Sequence, residues 1–198
     1  MKDVKILGSE IVYKGFNKIT KYFFEFKSFD GKETFTMDKE IFQRKDAVAV
    51  LLYDPRVDGI VFIEQFRPGC YVADNIPCPL EIPAGLVDKG DDNFIATVKR
   101  EAMEEANCEI EKYLEIGSFF PEISFSSRKI HLFCAKVNTG NLGISGGIKS
   151  ESEDTKITLI KAADLRKMLD SGKIINSHTL IAVQWFFLNI DKVRKEFL

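Results

Sequence analysis

The sequence predicts a mixed fold, α+β or α/β, in which helices sandwich a sheet, with a small antiparallel β-sheet ahead of it. Three observations predict this. Residues 47–53 are a continuous apolar run, which suits a strand buried on both faces, and residues 60–66 are predicted as the next strand. Helical patterns at 93–106, 162–169 and 177–190 alternate with further extended segments, as a layered α/β domain requires. An aromatic-rich, partly alternating stretch at 19–29 runs through Asp30-Gly31 into Thr34-Phe35-Thr36, the pattern of a β-hairpin with an Asp-Gly turn.

Taken in order, residues 4–14 alternate loosely and predict a first strand, which with the hairpin makes an N-terminal sheet over residues 1–45. The main domain spans 46–198. Its first two strands are joined by the turn Asp54-Pro55-Arg56-Val57-Asp58-Gly59. Residues 70–79 are broken by prolines and predict loop. Residues 80–84 are short and extended and lead into Gly85. Strands are predicted at 113–120, 128–137 and 155–160, and a long loop rich in Gly, Ser and Asn at 138–153. Ser171-Gly172 closes the helix at 162–169.

The chain has 198 residues, 45% hydrophobic and 29% charged, which suits one ordinary domain with a small appendage. Its net charge of −2 gives no reason to expect nucleic acid or an anionic membrane as partner. Cys70, Cys78, Cys108 and Cys134 show no C-x-x-C spacing, so reduced thiols and a cytoplasmic setting are expected. The charged start, Met1-Lys2-Asp3-Val4-Lys5, does not read as a signal peptide, and no apolar run approaches the length of a membrane span.

The chemistry concentrates on residues 85–108. A loop, Gly85-Leu86-Val87-Asp88-Lys89-Gly90-Asp91-Asp92, runs into a helix that carries Glu101, Glu104 and Glu105. At about 100° per residue these carboxylates share an arc of roughly 100°. Ile95, Val98, Ala102 and Ala106 form the apolar stripe beside them, so Glu105 lies close to the buried face. Arg100 can pair with Glu104 at i+4, which leaves Glu101 and Glu105 with no cation to meet them. Clustered oxygen ligands of this kind suit Mg²⁺, or Mn²⁺. Taken alone, E-x-x-E-E is more often a solvated helix face; the loop before it reverses that reading.

Gly, acidic loop, Arg-Glu, Glu-Glu and a turn residue in this order resemble the Nudix box of the Nudix hydrolases. The resemblance implies an α/β/α sandwich and metal-dependent pyrophosphate hydrolysis. Two departures stand out: an extra loop residue, assigned to Asp91-Asp92, and Asn107 where the family has Gly. Asn is the next best residue for a left-handed helix end.

Similarity to bacterial ADP-ribose pyrophosphatases extends beyond the box. It includes Glu40-Ile41-Phe42-Gln43-Arg44, Ile63-Glu64-Gln65-Phe66-Arg67, Leu80-Glu81-Ile82-Pro83-Ala84-Gly85 and Ala182-Val183-Gln184-Trp185. It implies a homodimer that exchanges its N-terminal sheets, with Arg44 and Arg67 on the phosphates or the terminal ribose. It implies an aromatic stacked on adenine, for which Phe16 is the candidate. Glu81 is a further candidate for substrate contact. The Ala84 carbonyl, Glu101, Glu105 and Glu153 would hold Mg²⁺, with Glu104 and Arg100 completing and orienting the site. Glu151 would take the proton from water and Glu153 touch the metal, or the reverse. Glu122-Ile123-Ser124-Phe125-Ser126-Ser127-Arg128 departs from the family, with Arg128 where a Glu is expected. The implied substrate is ADP-ribose or a similar ADP-sugar; other nucleoside diphosphate sugars such as GDP-mannose, and a non-catalytic ADP-ribose sensor, are the alternatives.

Overall fold

A computed structural model describes residues 3–88, 90–91 and 93–198. The chain divides into two compact units, Met1–Asp46 with Phe120–Lys129, and Ala47–Phe119 with Ile130–Leu198.

In the first unit, β1 (Val4–Lys14), β2 (Lys18–Lys27) and β3 (Thr34–Gln43) form an antiparallel sheet in sequence order. The β2–β3 turn is the expected Asp-Gly one. Asp30 Oδ1 accepts hydrogen bonds from Ser28 Oγ at 2.6 Å and the Lys32 N–H at 3.1 Å. Gly31 takes φ 74°, which its missing Cβ permits. Residues 120–129 join this unit through a parallel bridge between Phe42 and Ser126, which composition gave no means of foreseeing. Thr20 is the one buried residue among those described here; Val4, Ile6, Leu7, Ile11, Val12 and Tyr13 of β1 are exposed.

The second unit is built on β4 (Ala47–Asp54) and β5 (Gly59–Gln65). Every residue of β4 is buried, as its unbroken apolar run requires. Then come α1 (Pro68–Asp74), β6 (Leu80–Glu81), β7 (Ala84–Leu86), α2 (Phe94–Ala106), β8 (Ile110–Phe119) and β9 (Ile130–Val137). β10 (Ser145–Gly146), a 3-10 turn (Lys149–Glu151), β11 (Thr155–Lys161), α3 (Ala162–Asp170), α4 (Ser177–Leu188) and α5 (Ile190–Phe197) complete it. The sheet runs β10-β11-β5-β4-β9-β8, with β6 beside β5 and β7 beside β4. Among the described strands of this sheet only β4 and β9 pair in parallel. Alternation along β4 feeds two cores. Val48, Val50 and Leu52 meet Val98, Ala102 and Ala106 of α2, while Ala49, Leu51 and Tyr53 meet Leu165 of α3, Val183 and Phe186 of α4 and Phe197 of α5. Helices thus cover both faces of the sheet, the expected sandwich.

Two expectations are corrected. Residues 70–79 are not loop throughout, because α1 occupies Pro68–Asp74. Pro68 opens the helix, where a missing N–H costs nothing, rather than ending the strand before it. Asn75 in the left-handed region at φ 59° then stops it. The helix expected over 177–190 ends sooner: Asn189 Nδ2 donates to the Trp185 carbonyl at 2.9 Å, and α5 starts afresh at Ile190. Among the described residues no helix is long and apolar enough to cross a membrane.

Candidate functional site

Helix α2 carries the site, and its ends are fixed by asparagines. Asn93 Oδ1 accepts from the Ala96 N–H at 3.0 Å, and Asn107 closes the helix at φ 50°, the left-handed conformation expected of it. Glu101 and Glu105 fall on the inner side, 7% and 2% exposed. Both press against β7. The Ala84 N–H donates to Glu105 Oε2 at 2.8 Å, and a Cβ added to Gly85 would lie 1.8 Å from Glu101 Oε1. Gly85 is therefore the space the Glu101 carboxylate occupies.

Arg100 braces the cluster. It forms ion pairs of 2.8 Å with both Glu104 and Glu101, donates to the Leu86 carbonyl at 3.2 Å and reaches Asp91 at 3.4 Å. Glu101 thus does meet a cation, against expectation. Neighbours at i and i+1 point apart on a helix, but the long guanidinium stem folds back across the gap. Of the loop to which the extra residue was assigned, Asp91 binds the Asp88 N–H and the Thr97 hydroxyl, while Lys89 and Asp92 lie outside the described residues.

Burial dominates the ionisation of the inner pair. It pushes the Glu101 carboxyl up to about 7 against the pull of Arg100. It pushes Glu105 up to about 8 against the Ala84 N–H, with the charge on Glu101 adding to the rise. Glu153 raises both, so the acidic loop before β11 reaches the field of these carboxylates. Glu151 sits two residues earlier on the exposed 3-10 turn.

That loop is tied to the end of α2. The Gly147 N–H donates to the Glu104 carbonyl at 2.6 Å, Thr155 Oγ1 to the Glu105 carbonyl at 2.7 Å, and Asn107 Nδ2 to the Ser145 carbonyl at 2.8 Å. Carbonyls that the helix leaves without partners are thereby satisfied. Gly147, at φ 96°, has a place for a Cβ only 2.7 Å from the Glu153 carbonyl oxygen, so the turn admits no side chain there.

Arg67 and Glu81 form one unit. Arg67 Nε donates to Glu81 Oε2 at 2.9 Å, and its Nη2 lies 2.7 Å from the same oxygen. Glu81, 2% exposed, also accepts from Asn176 Nδ2 at 3.0 Å. Asn176 caps α4 by accepting from the Thr179 N–H, and Thr179 Oγ1 accepts from the Ile82 N–H. Glu81 is thus fully occupied in holding Arg67 and the α4 cap. Gln65, opposite Thr155 in the sheet, is buried with an Oε1 that meets no donor. Asn176 and Gln65 escaped the sequence reading; Asn176-Ser177-His178-Thr179 carries a helix-cap signal that could have found the first. In the other unit, Arg44 Cζ lies 5.5 Å over the Phe16 ring and 6.0 Å over Phe42.

Among the described residues no three His, Cys, Asp or Glu side chains already close round one point. The donor set nevertheless fits a hard divalent cation. Two buried carboxylates lie one helical turn apart, held partly protonated by burial, and hard oxygen donors of this type take Mg²⁺ or Mn²⁺. Gly85→Ala is expected to fold, because the obstructed atoms are the far end of a flexible side chain. It should displace Glu101 and weaken Mn²⁺ binding, followed by titration, by about 10-fold or more.

The Nudix domain family matches residues 43–175. The chain is 29% identical to the ADP-ribose pyrophosphatase of Escherichia coli strain K12 over 98% of its own length and 92% of that protein. It is 27% identical to the GDP-mannose pyrophosphatase of Yersinia pestis over 92% of its length and 90% of the relative. A crystal structure described as an ADP compounds hydrolase superposes with a TM-score of 0.75 at 17% identity, covering 98% of each chain, a likeness of fold. With a buried glutamate pair, its bracing arginine and the glycine that makes room for it all inside the matched segment, the chain belongs to the Nudix hydrolase family.

Proposed function

We infer that this enzyme is a pyrophosphatase of nucleoside diphosphate sugars, and that it cleaves ADP-ribose, or a similar ADP-sugar, to AMP and a sugar phosphate. The observation that carries the chemistry is the buried pair Glu101 and Glu105 against Ala84-Gly85, braced by Arg100. The substrate reading draws on similarity to ADP-ribose pyrophosphatases along nearly the whole chain, N-terminal sheet included.

Bound Mg²⁺ would supply neutralisation of phosphate charge and a lowered pKa for the attacking water. Glu101, Glu105 and the Ala84 carbonyl offer the oxygens to hold it, with Glu153 and Glu104 at its edge. Arg100 keeps Glu101 and Glu104 from repelling each other and fixes their rotamers. Arg67, steadied by Glu81, presents N–H donors to phosphate oxygens. Glu151, exposed on its turn, accepts the proton of the attacking water. Glu151→Gln is expected to depress kcat about 100-fold with KM little changed; an unchanged kcat would move the proton acceptor to Glu153.

The working form is a homodimer that exchanges residues 1–45. A three-stranded sheet with no apolar residue buried needs cover, and the exposed apolar residues of β1 supply a surface for it. Ile6→Asp costs an isolated protomer almost nothing, since Ile6 is 63% exposed. In the dimer it should shift sedimentation from two-fold mass to one-fold; a variant that sediments like wild type would remove the exchange. The four unpaired cysteines agree with a cytoplasmic setting.

Product analysis with Mg²⁺ on ADP-ribose, ADP-glucose, GDP-mannose, UDP-glucose and NADH tests the substrate. AMP released fastest from ADP-ribose supports the reading. Preference for GDP-mannose, which likeness to a GDP-mannose pyrophosphatase keeps in view, would replace it.

A further inference from the structure

We propose that Gln65 is a positioning residue of this site: its amide oxygen accepts a hydrogen bond from a water on the divalent cation held by Glu105 and Glu153. The proposal rests on the reading above only for the presence of that cation.

The sheet turns Gln65 toward α2. Val61 and Ile63 of β5 pack with Val98, Ala102 and Ala106 of that helix. Side chains alternate along a strand, so Gln65, the next residue of the set, faces α2 as well. Its partner across the sheet is Thr155, whose hydroxyl donates to the Glu105 carbonyl at 2.7 Å. Glu153 stands two residues ahead of Thr155 in the chain, and Arg67 two residues after Gln65. Against its own burial, the Arg67 pKa is raised first by Glu81 and then by Glu105 and Glu153, so the end of β5 lies in the field of both carboxylates.

Gln65 is 7% exposed, and its Oε1 meets no donor among the described residues. A buried acceptor in that state is costly and rare, and it calls for a partner from outside the chain. The donors nearest in register are spent. Thr155 has one hydroxyl proton, which goes to Glu105, and Arg67 turns Nε and Nη2 to Glu81. Ionised carboxylates only accept, so Glu105 and Glu153 cannot serve Gln65 in the form that binds metal. A water on a cation can, because its oxygen faces the metal and its hydrogens point outward to acceptors. A phosphate oxygen cannot, being an acceptor itself, which sets the role of Gln65 apart from that of Arg67.

The test follows Mn²⁺ binding to the full chain by electron paramagnetic resonance, with thermal melts of the metal-free protein beside it. Gln65→Met keeps the length of the side chain and removes the acceptor. It is expected to weaken Mn²⁺ binding about 10-fold or more, the usual loss when a partner of a metal-bound group is removed. Without metal it should keep or raise the melting temperature, because no hydrogen bond is lost and an unpaired acceptor leaves the interior. Gln65→Glu keeps acceptor oxygens and should bind Mn²⁺ no more weakly than wild type. Mn²⁺ affinity unchanged in Gln65→Met overturns the proposal and leaves an isolated water as the partner of Oε1. A lowered melting temperature in that variant overturns it too, since the amide would then be a structural contact. So does a Gln65→Glu that binds as weakly as Gln65→Met, which would mean that the N–H end is the one used. Wild type that binds no Mn²⁺ would bring down the metal reading and Gln65 with it. Failure of the nucleotide-sugar panel with Gln65-dependent Mn²⁺ binding retained would sink the substrate reading alone.

Discussion

Glu105→Gln is expected to lower kcat by about 1000-fold, the loss that follows from the proposal that this carboxylate holds the cation neutralising the phosphates. The substitution keeps shape and an acceptor oxygen for the Ala84 N–H, so the contact to β7 survives. What disappears is a negative charge that the fold itself disfavours, since burial already drives this carboxyl up to about 8. The variant should therefore be no less stable than the wild type without metal, yet fail to bind Mn²⁺ in a titration. A cation bound beside the pair would offset this cost of burying charge. Turnover retained within about 10-fold would remove Glu105 from the metal site and reduce its burial to a packing accident.

The α2 helix was legible because each of its signals is local. The apolar stripe at 95, 98, 102 and 106 and the left-handed Asn107 fall within a few residues of one another. Strand β4 was legible for the same reason, as the apolar run Ala47–Tyr53 ahead of the 54–59 turn, with β5 following that turn. What stayed hidden depends on chain segments far apart. Asn176 reaches Glu81 across 95 positions, and the Gly147 N–H finds the Glu104 carbonyl only once the loop has folded back. The Arg100–Glu101 contact was hidden differently: helical spacing argues against neighbouring side chains meeting, and only the reach of the arginine stem defeats the rule. Helix α1 was missed because a proline at a helix start and a proline ending a strand look alike in sequence.

The same buried pair sets the second large effect, on stability. In the unfolded chain a glutamate titrates near its model value of 4.5; in the fold Glu101 is raised to about 7 and Glu105 to about 8. Between those limits the folded state binds more protons than the unfolded one, so stability falls as pH rises. The contribution is complete below about pH 4.5 and is lost as pH climbs through 7 and 8. Because the two groups are neighbours they titrate as a pair, and the loss belongs to the pair rather than to either residue. Asp54, lowered mainly by Arg56, and Asp58, whose hydrogen bonds from Tyr53 and Arg194 outweigh its burial, contribute in the opposite sense, but only in strong acid, outside this window. Thermal melts of metal-free protein at steps from pH 5 to 9 should show the decline. Mg²⁺ favours the ionised pair, so its stabilising shift should grow over the same range. In Glu105→Gln the slope should shrink and the Mg²⁺ shift should vanish. A melting temperature flat from pH 5 to 9 without metal would mean that water reaches these carboxylates freely.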